Sequence, residues 1–167
     1  MANVFQDFFA PSQPYLAAFN TWAEKYSPAA SADHICYKCG DTTEFERLRA
    51  MLEVESAFVY QSIIAGRRIA IVKFPIPIET LLGPIIFLEL SDQKPDGSQT
   101  SGFDHIEIYP TSGTIEHLVS DLETKGMKLD KIVRPHHTTF DAKIIDDFKV
   151  RLEDEALVAK IKREEMI

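Results

Sequence analysis

Apolar side chains recur along this chain with two spacings, and the order of the two spacings is repeated. Apolar residues at alternate positions indicate strands, and a spacing of three and four residues indicates one helix in each half of the chain. Residues 32–92 follow the order strand, helix and three strands, and residues 103–153 follow the same order. The pattern therefore predicts an α+β fold built from tandem βαβββ modules.

Local signals mark the ends of several of these elements. Asp41 and Glu44 have the spacing of a capping box at the start of the first module's helix. Gly66 separates two strand-like runs and predicts a hairpin turn. Pro75 and Pro77 are expected to break the strand that follows this turn.

Three further segments flank or join the modules. Residues 1–31 predict an N-terminal helical extension, residues 93–102 a polar linker, and residues 154–167 an amphipathic C-terminal helix. The two modules are expected to share one cleft and to form one structural domain. Aromatic residues at helical spacing in the N-terminal segment are expected to pack in the core: Tyr15, Phe19, Trp22 and Tyr26.

Composition narrows the classes of function. The chain has 167 residues, a size that suits one compact domain or two small modules sharing a core. Its net charge of −8 argues against binding to nucleic acid, because the phosphate backbone binds basic surfaces. The chain contains no apolar run of transmembrane length and no pattern of a signal peptide, so we expect a cytoplasmic protein without a membrane partner.

The two cysteines, Cys36 and Cys39, have the spacing of half a zinc or redox motif. A structural zinc site would need a second pair, which the sequence lacks. A redox pair normally lies at the start of a helix, whereas these cysteines fall on a predicted strand. We therefore predict two reduced cysteines with no catalytic role.

The tripeptide Asp-His-Ile occurs twice and places His34 and His105 at equivalent positions of the two modules. The last strand of each module carries one glutamate, Glu89 or Glu153. All four side chains have the alternation that places them on the face opposite the aliphatic residues. The sequence therefore predicts a metal site in which two histidines and two glutamates converge between the modules.

Imidazole and carboxylate ligands together suit Zn²⁺, Ni²⁺, Mn²⁺, Co²⁺ or Fe²⁺, and the sequence does not choose among these ions. Four protein ligands on a six-coordinate ion leave two positions for vicinal oxygens of a substrate, with the ion acting as a Lewis acid. If one glutamate does not bind, the remaining ligands form the two-histidine, one-carboxylate triad of iron-dependent oxygen chemistry.

Four short motifs, in this order and spacing, resemble the YecM-like branch of the vicinal oxygen chelate superfamily: Ala32-Asp-His-Ile, Gly66-Arg-Arg-Ile, Phe87-Leu-Glu-Leu and Asp104-His-Ile-Glu-Ile. That superfamily includes glyoxalase I, extradiol dioxygenases, methylmalonyl-CoA epimerase and the bleomycin- and fosfomycin-resistance proteins. The resemblance implies a glyoxalase-like open barrel or cleft with the four predicted ligands at its centre. It also implies isomerase, epimerase, lyase or dioxygenase chemistry, with Glu153 or Glu89 as a proton-transfer base.

Other polar residues are candidates for catalysis or for binding an anionic substrate. Glu107 has the same alternation as His105, which suits either a partner of the ligands or a general base. The candidate substrate-binding residues are Arg67, Arg68, Lys73, Arg134, His136 and His137. The same scaffold without turnover would be a binding or sequestering protein for a small molecule. A single chain contains both modules, so the protein can be a monomer or a homodimer.

Overall fold

Eight strands form one mixed sheet with helices packed against it. The structure is a computed structural model that describes residues 4–54, 58–64, 66–135, 137–156 and 159. The helices are α1 Val4–Phe9, α2 Gln13–Tyr26, α3 Thr42–Glu53 and α4 Ile115–Thr124, and a 3-10 turn spans Ala10–Ser12. The strands are β1 Ala30–Lys38, β2 Phe58–Ile64, β3 Arg67–Ile78, β4 Ile85–Ser91, β5 Gly102–Pro110, β6 Asp130–Val133, β7 Thr138–Ile145 and β8 Phe148–Leu152. The predicted α+β class is confirmed.

The order of strands in the sheet is symmetrical about its centre. It runs β2-β3-β4-β1-β5-β8-β7-β6, and the sheet is not closed into a barrel. Each half pairs its first strand in parallel with its last, β1 with β4 and β5 with β8, and the antiparallel pair β1–β5 joins the halves. The first strands of both modules therefore lie side by side in the middle of the molecule. None of the described helices combines the length and apolarity needed to cross a bilayer.

The two module helices begin at the polar caps that the sequence provides. The Asp41 carboxylate accepts a hydrogen bond from the Glu44 backbone N–H at 2.7 Å, as the capping box predicts. The Thr114 hydroxyl accepts the equivalent bond from His117 at 3.3 Å. Each helix buries an apolar stripe in the core: Phe45, Leu48 and Leu52 on α3, and Ile115, Leu118, Val119 and Leu122 on α4.

The N-terminal helix α2 packs as predicted, with Phe19 and Trp22 buried in the core. The extension predicted to be helical, residues 1–31, also contains the short helix α1, although its six residues are too few to show a helical period. Its residues Phe5 and Phe9 are nevertheless buried and lie against Phe74 on β3, with ring centroids 6.0 and 4.7 Å apart. Tertiary packing therefore accounts for this helix.

One predicted strand end is wrong. Strand β3 continues through Pro75 and Pro77 to Ile78. Its pairing with β4 is irregular between Lys73 and Ile78, so the prolines lie where the regular ladder does not require a donor. The predicted hairpin turn is confirmed, because Gly66 has a φ of 79° between β2 and β3. Most of the predicted C-terminal helix lies outside the described residues.

Candidate metal centre

A cluster of four ionisable side chains lies on the three central strands. The members are His34 on β1, Glu89 on β4, and His105 and Glu107 on β5. One potential ligand atom from each residue lies within 4.8 Å of the other three. His34, His105 and Glu107 are 1%, 2% and 5% exposed, whereas the Glu89 side chain is 15% exposed. The cluster is thus nearly enclosed, and Glu89 is its most exposed member.

The imidazole Nε2 atoms point toward the carboxylates. His34 Nε2 lies 3.3 Å from Glu89 Oε2 and is also in contact with Glu107 Oε2. His105 Nε2 lies 4.0 Å from the same oxygen of Glu89. Two nitrogens and two carboxylates therefore meet in one small volume, at the seam where the two halves of the sheet join.

The structure brings together three of the four residues predicted as ligands and adds Glu107 in place of Glu153. The reason is the register of the parallel strand pairs. In the first half, Glu89 lies opposite Cys36, two residues after His34. The equivalent pair in the second half is Glu107 opposite Arg151, so Arg151 occupies the position that corresponds to Glu89.

Glu153 lies one residue beyond the end of β8, where its backbone N–H donates to Ile108 O at 3.0 Å. Its buried carboxylate contacts His137, with Oε1 3.3 Å from Nε2. Nearby, Arg134 is half-buried and donates from Nε to the Thr139 hydroxyl at 3.0 Å. Burial and the charge of Arg151 lower the pKa of Arg134, against the opposing charges of Asp141, Glu153 and Glu107.

The electrostatics of the two histidines differ. Burial disfavours protonation of His34, but the charge of Glu107 and the close carboxylates of Asp33, Glu107 and Glu89 raise its pKa well above the usual value. Burial and the charge of Arg151 lower the pKa of His105. The pKa of Glu107 is lowered despite its burial, because His34 lies in contact with it. The carboxylates thus favour positive charge at this point of the sheet, which a bound cation would supply.

The residues present fit a divalent metal ion. His34 Nε2 and Glu107 Oε2 are both buried, and neither has a hydrogen-bond partner of good geometry in the described part of the chain. Buried polar atoms normally have such partners, so two orphaned atoms facing each other call for an explanation. Two imidazole nitrogens with two carboxylates are a donor set typical of first-row transition metals.

Three of the predicted substrate-binding residues lie on β3, a strand that carries no member of the four-residue cluster: Arg67, Arg68 and Lys73. Arg68 stacks over the Phe45 ring and donates from Nε to Asp92 at 2.8 Å, which directs it toward α3. Arg67 is half-buried beside it, and Lys73 is exposed on β3. His136 lies outside the described residues. His137 contacts Glu153, the predicted ligand that lies outside the cluster, and Arg134 binds Thr139 on β7.

Both cysteines are free, as predicted, and both are buried. Cys39 was predicted on the strand but lies one residue beyond the end of β1. Burial, followed by the charges of Glu89 and Asp104, raises the pKa of Cys36 well above its ordinary value. Burial and the charge of Glu44 raise the pKa of Cys39 to about 12. Both groups are therefore neutral thiols at physiological pH.

A family model described as "YecM protein" matches residues 15–161. The chain belongs to this YecM family. The match confirms the resemblance predicted from the sequence, and the paired βαβββ units of the sheet confirm the glyoxalase-like architecture that the resemblance implies. No curated protein matches the chain.

Solved structures are similar to this chain, and two of them align with a TM-score above 0.5. A structural genomics protein named EC4020 aligns with a TM-score of 0.74 and 18% identity over 98% of this chain and 97% of that one. Hydroxyglutarate synthase from Oryza sativa, in complex with 2-oxoadipate, aligns with a TM-score of 0.51 and 8% identity over 98% and 82%. Methylmalonyl-CoA epimerase from Streptomyces coelicolor aligns with a TM-score of 0.47 and 20% identity over 75% and 97%.

Proposed function

We propose that this YecM protein is a divalent-metal-dependent enzyme of the vicinal oxygen chelate type that acts on a small, oxygenated, anionic molecule. His34, Glu89, His105 and Glu107 would hold the ion. The observation that carries the proposal is the convergence of their four ligand atoms within 4.8 Å on a nearly enclosed site. A bound ion would supply Lewis-acid stabilisation of negative charge that develops on a substrate oxygen.

The nature of the donors supports a transition metal over a hard cation. Ca²⁺ and Mg²⁺ prefer sites made of oxygen atoms, whereas half of the donors here are imidazole nitrogens. Zn²⁺, Ni²⁺, Mn²⁺, Co²⁺ and Fe²⁺ all accept this mixed set. The ion's identity separates the candidate reactions, with Fe²⁺ favouring oxygenation and the others favouring isomerase, epimerase or lyase chemistry.

Arg134 would orient the substrate. Its guanidinium is half-buried and donates to the Thr139 hydroxyl, and no carboxylate among the described residues lies within ion-pair distance of it. A guanidinium binds carboxylate or phosphate groups through paired hydrogen bonds, so an anionic group on the substrate would complete its contacts. The anionic end of the molecule would then lie toward β7 and its reacting oxygens toward the cluster.

Glu153 is the proposed proton-transfer group. Its carboxylate is buried next to the polar region around Arg134, and its Oε1 atom contacts His137 Nε2. A carboxylate in hydrogen-bond reach of the substrate can remove a proton, and His137 would stabilise the charge of the carboxylate between transfers. Glu153 therefore keeps its predicted catalytic role in the proposal without serving as a ligand.

Metal content of the untagged protein, measured by plasma mass spectrometry, tests the proposal. We expect close to one equivalent of a transition metal per chain, and loss of that metal in the His34→Ala/His105→Ala variant. The matched control is His117→Ala, which removes an exposed histidine of α4 and should leave the metal in place. A wild-type protein that stays empty after reconstitution with each of the five ions would contradict the proposal.

A further inference from the structure

The aspartate that opens each Asp-His-Ile tripeptide contacts the histidine that follows it. His34 Nδ1 lies 3.0 Å from Asp33 Oδ1, and His105 Nδ1 lies 2.7 Å from Asp104 Oδ2. In each pair the carboxylate binds the imidazole nitrogen opposite the one that faces the cluster. The repeated tripeptide therefore supplies a histidine together with its own hydrogen-bond acceptor.

Adjacent residues of a regular strand point to opposite faces, so these contacts need a local irregularity. The β1–β5 pairing provides one at each tripeptide. The register shifts first between Ala32 and Ile35, the stretch that contains Asp33 and His34. It shifts again between the pairs Cys36–His105 and Tyr37–Phe103, which leaves Asp104 between them. Bulges of this kind redirect side chains, which lets each aspartate reach the imidazole of its neighbour.

The two aspartates have different surroundings. Asp104 is held at both oxygens, because Lys38 Nζ lies 3.2 Å from Oδ2 and Lys149 Nζ lies 3.2 Å from Oδ1. Asp33 instead accepts a hydrogen bond from the Tyr109 hydroxyl at 3.1 Å. The same hydroxyl oxygen lies 2.8 Å from His34 Nδ1, so it offers that nitrogen a second acceptor.

We propose that Asp33 and Asp104 are positioning residues that hold His34 and His105 with Nδ1 protonated and Nε2 free to bind the metal. The inference rests on the proposed function. A carboxylate that accepts Nδ1–H fixes the tautomer and the ring orientation, and it makes Nε2 a better electron donor. The bulges, the contacts and the exact repetition of the tripeptide all serve this one arrangement.

The different surroundings predict unequal effects of substitution. Asp104→Asn removes the charge that His105 and both lysines share, and we expect Zn²⁺ affinity to fall by roughly 10- to 100-fold. Asp33→Asn should have a smaller effect, because the Tyr109 oxygen can still accept Nδ1–H of His34. The Asp33→Asn/Tyr109→Phe double variant removes the carboxylate charge and the hydroxyl oxygen, and it should approach the loss seen with Asp104→Asn.

Zn²⁺ affinity is measured by competition with a chromophoric chelator, and the visible spectrum of the Co²⁺-loaded protein reports the ligand geometry. The control is Asp92→Asn, which neutralises a buried carboxylate that binds Arg68 and Thr42. This variant also loses a buried charge and the stability that goes with it, but it should keep the wild-type Zn²⁺ affinity and Co²⁺ spectrum. Wild-type affinity in Asp104→Asn and in the double variant would overturn the inference while the proposed function stands.

A second measurement does not depend on metal. The Nδ1–H protons of His34 and His105 should give slowly exchanging, downfield NMR signals in the metal-free protein, assigned by their loss in His34→Ala and His105→Ala. Asp104→Ala should abolish the His105 signal and leave that of His34. If wild-type protein takes up no metal but shows both signals, the proposed function fails and the positioning role is limited to orienting the rings. If the signals are absent, the positioning inference itself fails.

Discussion

The two halves of the sheet share one topology but deliver their carboxylates to the centre from different strands. In the first half the carboxylate comes from the last strand, as Glu89, and Cys36 lies opposite it. In the second half it comes from the first strand, as Glu107, and Arg151 lies opposite it. The histidine positions are therefore symmetrical across the seam, whereas the carboxylate positions are not.

The two halves also differ in the charge of the side chain that lies opposite the glutamate. The first half places a neutral thiol opposite its glutamate, and the second half places a guanidinium there. Arg151 is held by Asp141 through two hydrogen bonds, Nε to Oδ1 at 2.8 Å and Nη2 to Oδ2 at 3.1 Å. Burial opposes the charge of Arg151, but these bonds and the charge of Asp141 raise its pKa. The second half thus carries a buried ion pair, Arg151 with Asp141, at the positions where the first half has Glu89 and Ile71.

The largest effect is expected from breaking that ion pair. Arg151→Met leaves the Asp141 carboxylate buried without its partner, which should lower the free energy of unfolding by about 3–5 kcal/mol. Urea unfolding followed by circular dichroism measures the loss. Met retains most of the apolar volume of the arginine stem, so a cavity contributes little to the result.

The control removes both charges. Arg151→Met/Asp141→Leu leaves no unpaired carboxylate and should recover most of the lost stability, because a buried pair often adds little over apolar residues of similar size. Equal stability of wild type and Arg151→Met would show that Asp141 is solvated or paired in another way. The charged residues at the centre of the two halves would then have similar effects on the free energy of unfolding.

A smaller effect is expected from rebuilding the second half in the pattern of the first. Glu107→Ala removes one proposed ligand, and Zn²⁺ affinity should fall by at least the roughly 10-fold seen when an outer partner is lost. Adding Arg151→Glu moves the carboxylate to β8, at the position that corresponds to Glu89. Adding Asp141→Asn removes the repulsion between this new carboxylate and its neighbour. Chelator competition should show partial recovery of affinity in the triple variant.

Recovery would indicate that the site needs one carboxylate from each half, whichever strand carries it. The matched control is Glu107→Ala with Arg151→Gln and Asp141→Asn, which has the same neighbours but no new carboxylate. If the control recovers as much affinity as the triple variant, the new glutamate is not a ligand. The comparison between the halves would then reflect packing alone.

The same comparison explains which parts of the site could be predicted from the sequence. A repeated tripeptide fixes the histidines, and strand alternation fixes the face on which Glu89 and Glu107 lie. Register along a parallel pair is not encoded locally, because β5 and β8 are joined through a helix and two strands. Glu153 and Arg151 differ by two positions, so they have the same alternation, and the sequence alone does not choose between them.

The fold was more predictable than the site for a related reason. Helix periods, capping residues and Gly66 act over a few residues, and the structure follows them. The prolines of β3 and the short helix α1 depend on partners distant in sequence, namely the irregular pairing with β4 and the packing against Phe74. The bulges that bring Asp33 and Asp104 to their histidines also arise from the β1–β5 pairing. The sequence gives them no local turn or glycine signal.

The smallest expected effect concerns the helix N-termini of the two halves, where the capping hydrogen bonds differ. At α3 the Asp41 carboxylate accepts a hydrogen bond from the Glu44 N–H at 2.7 Å, and the Glu44 carboxylate accepts one from the Gly40 N–H at 2.8 Å. At α4 the Thr114 hydroxyl accepts a single hydrogen bond of 3.3 Å. Asp41→Ala should therefore cost about 1 kcal/mol of unfolding free energy, and Thr114→Ala roughly half of that. The charge of Asp41 near the helix N-terminus adds to this difference. Thermal unfolding of the two variants measures it, and an equal or reversed order would show that the cap of α3 has no advantage over that of α4.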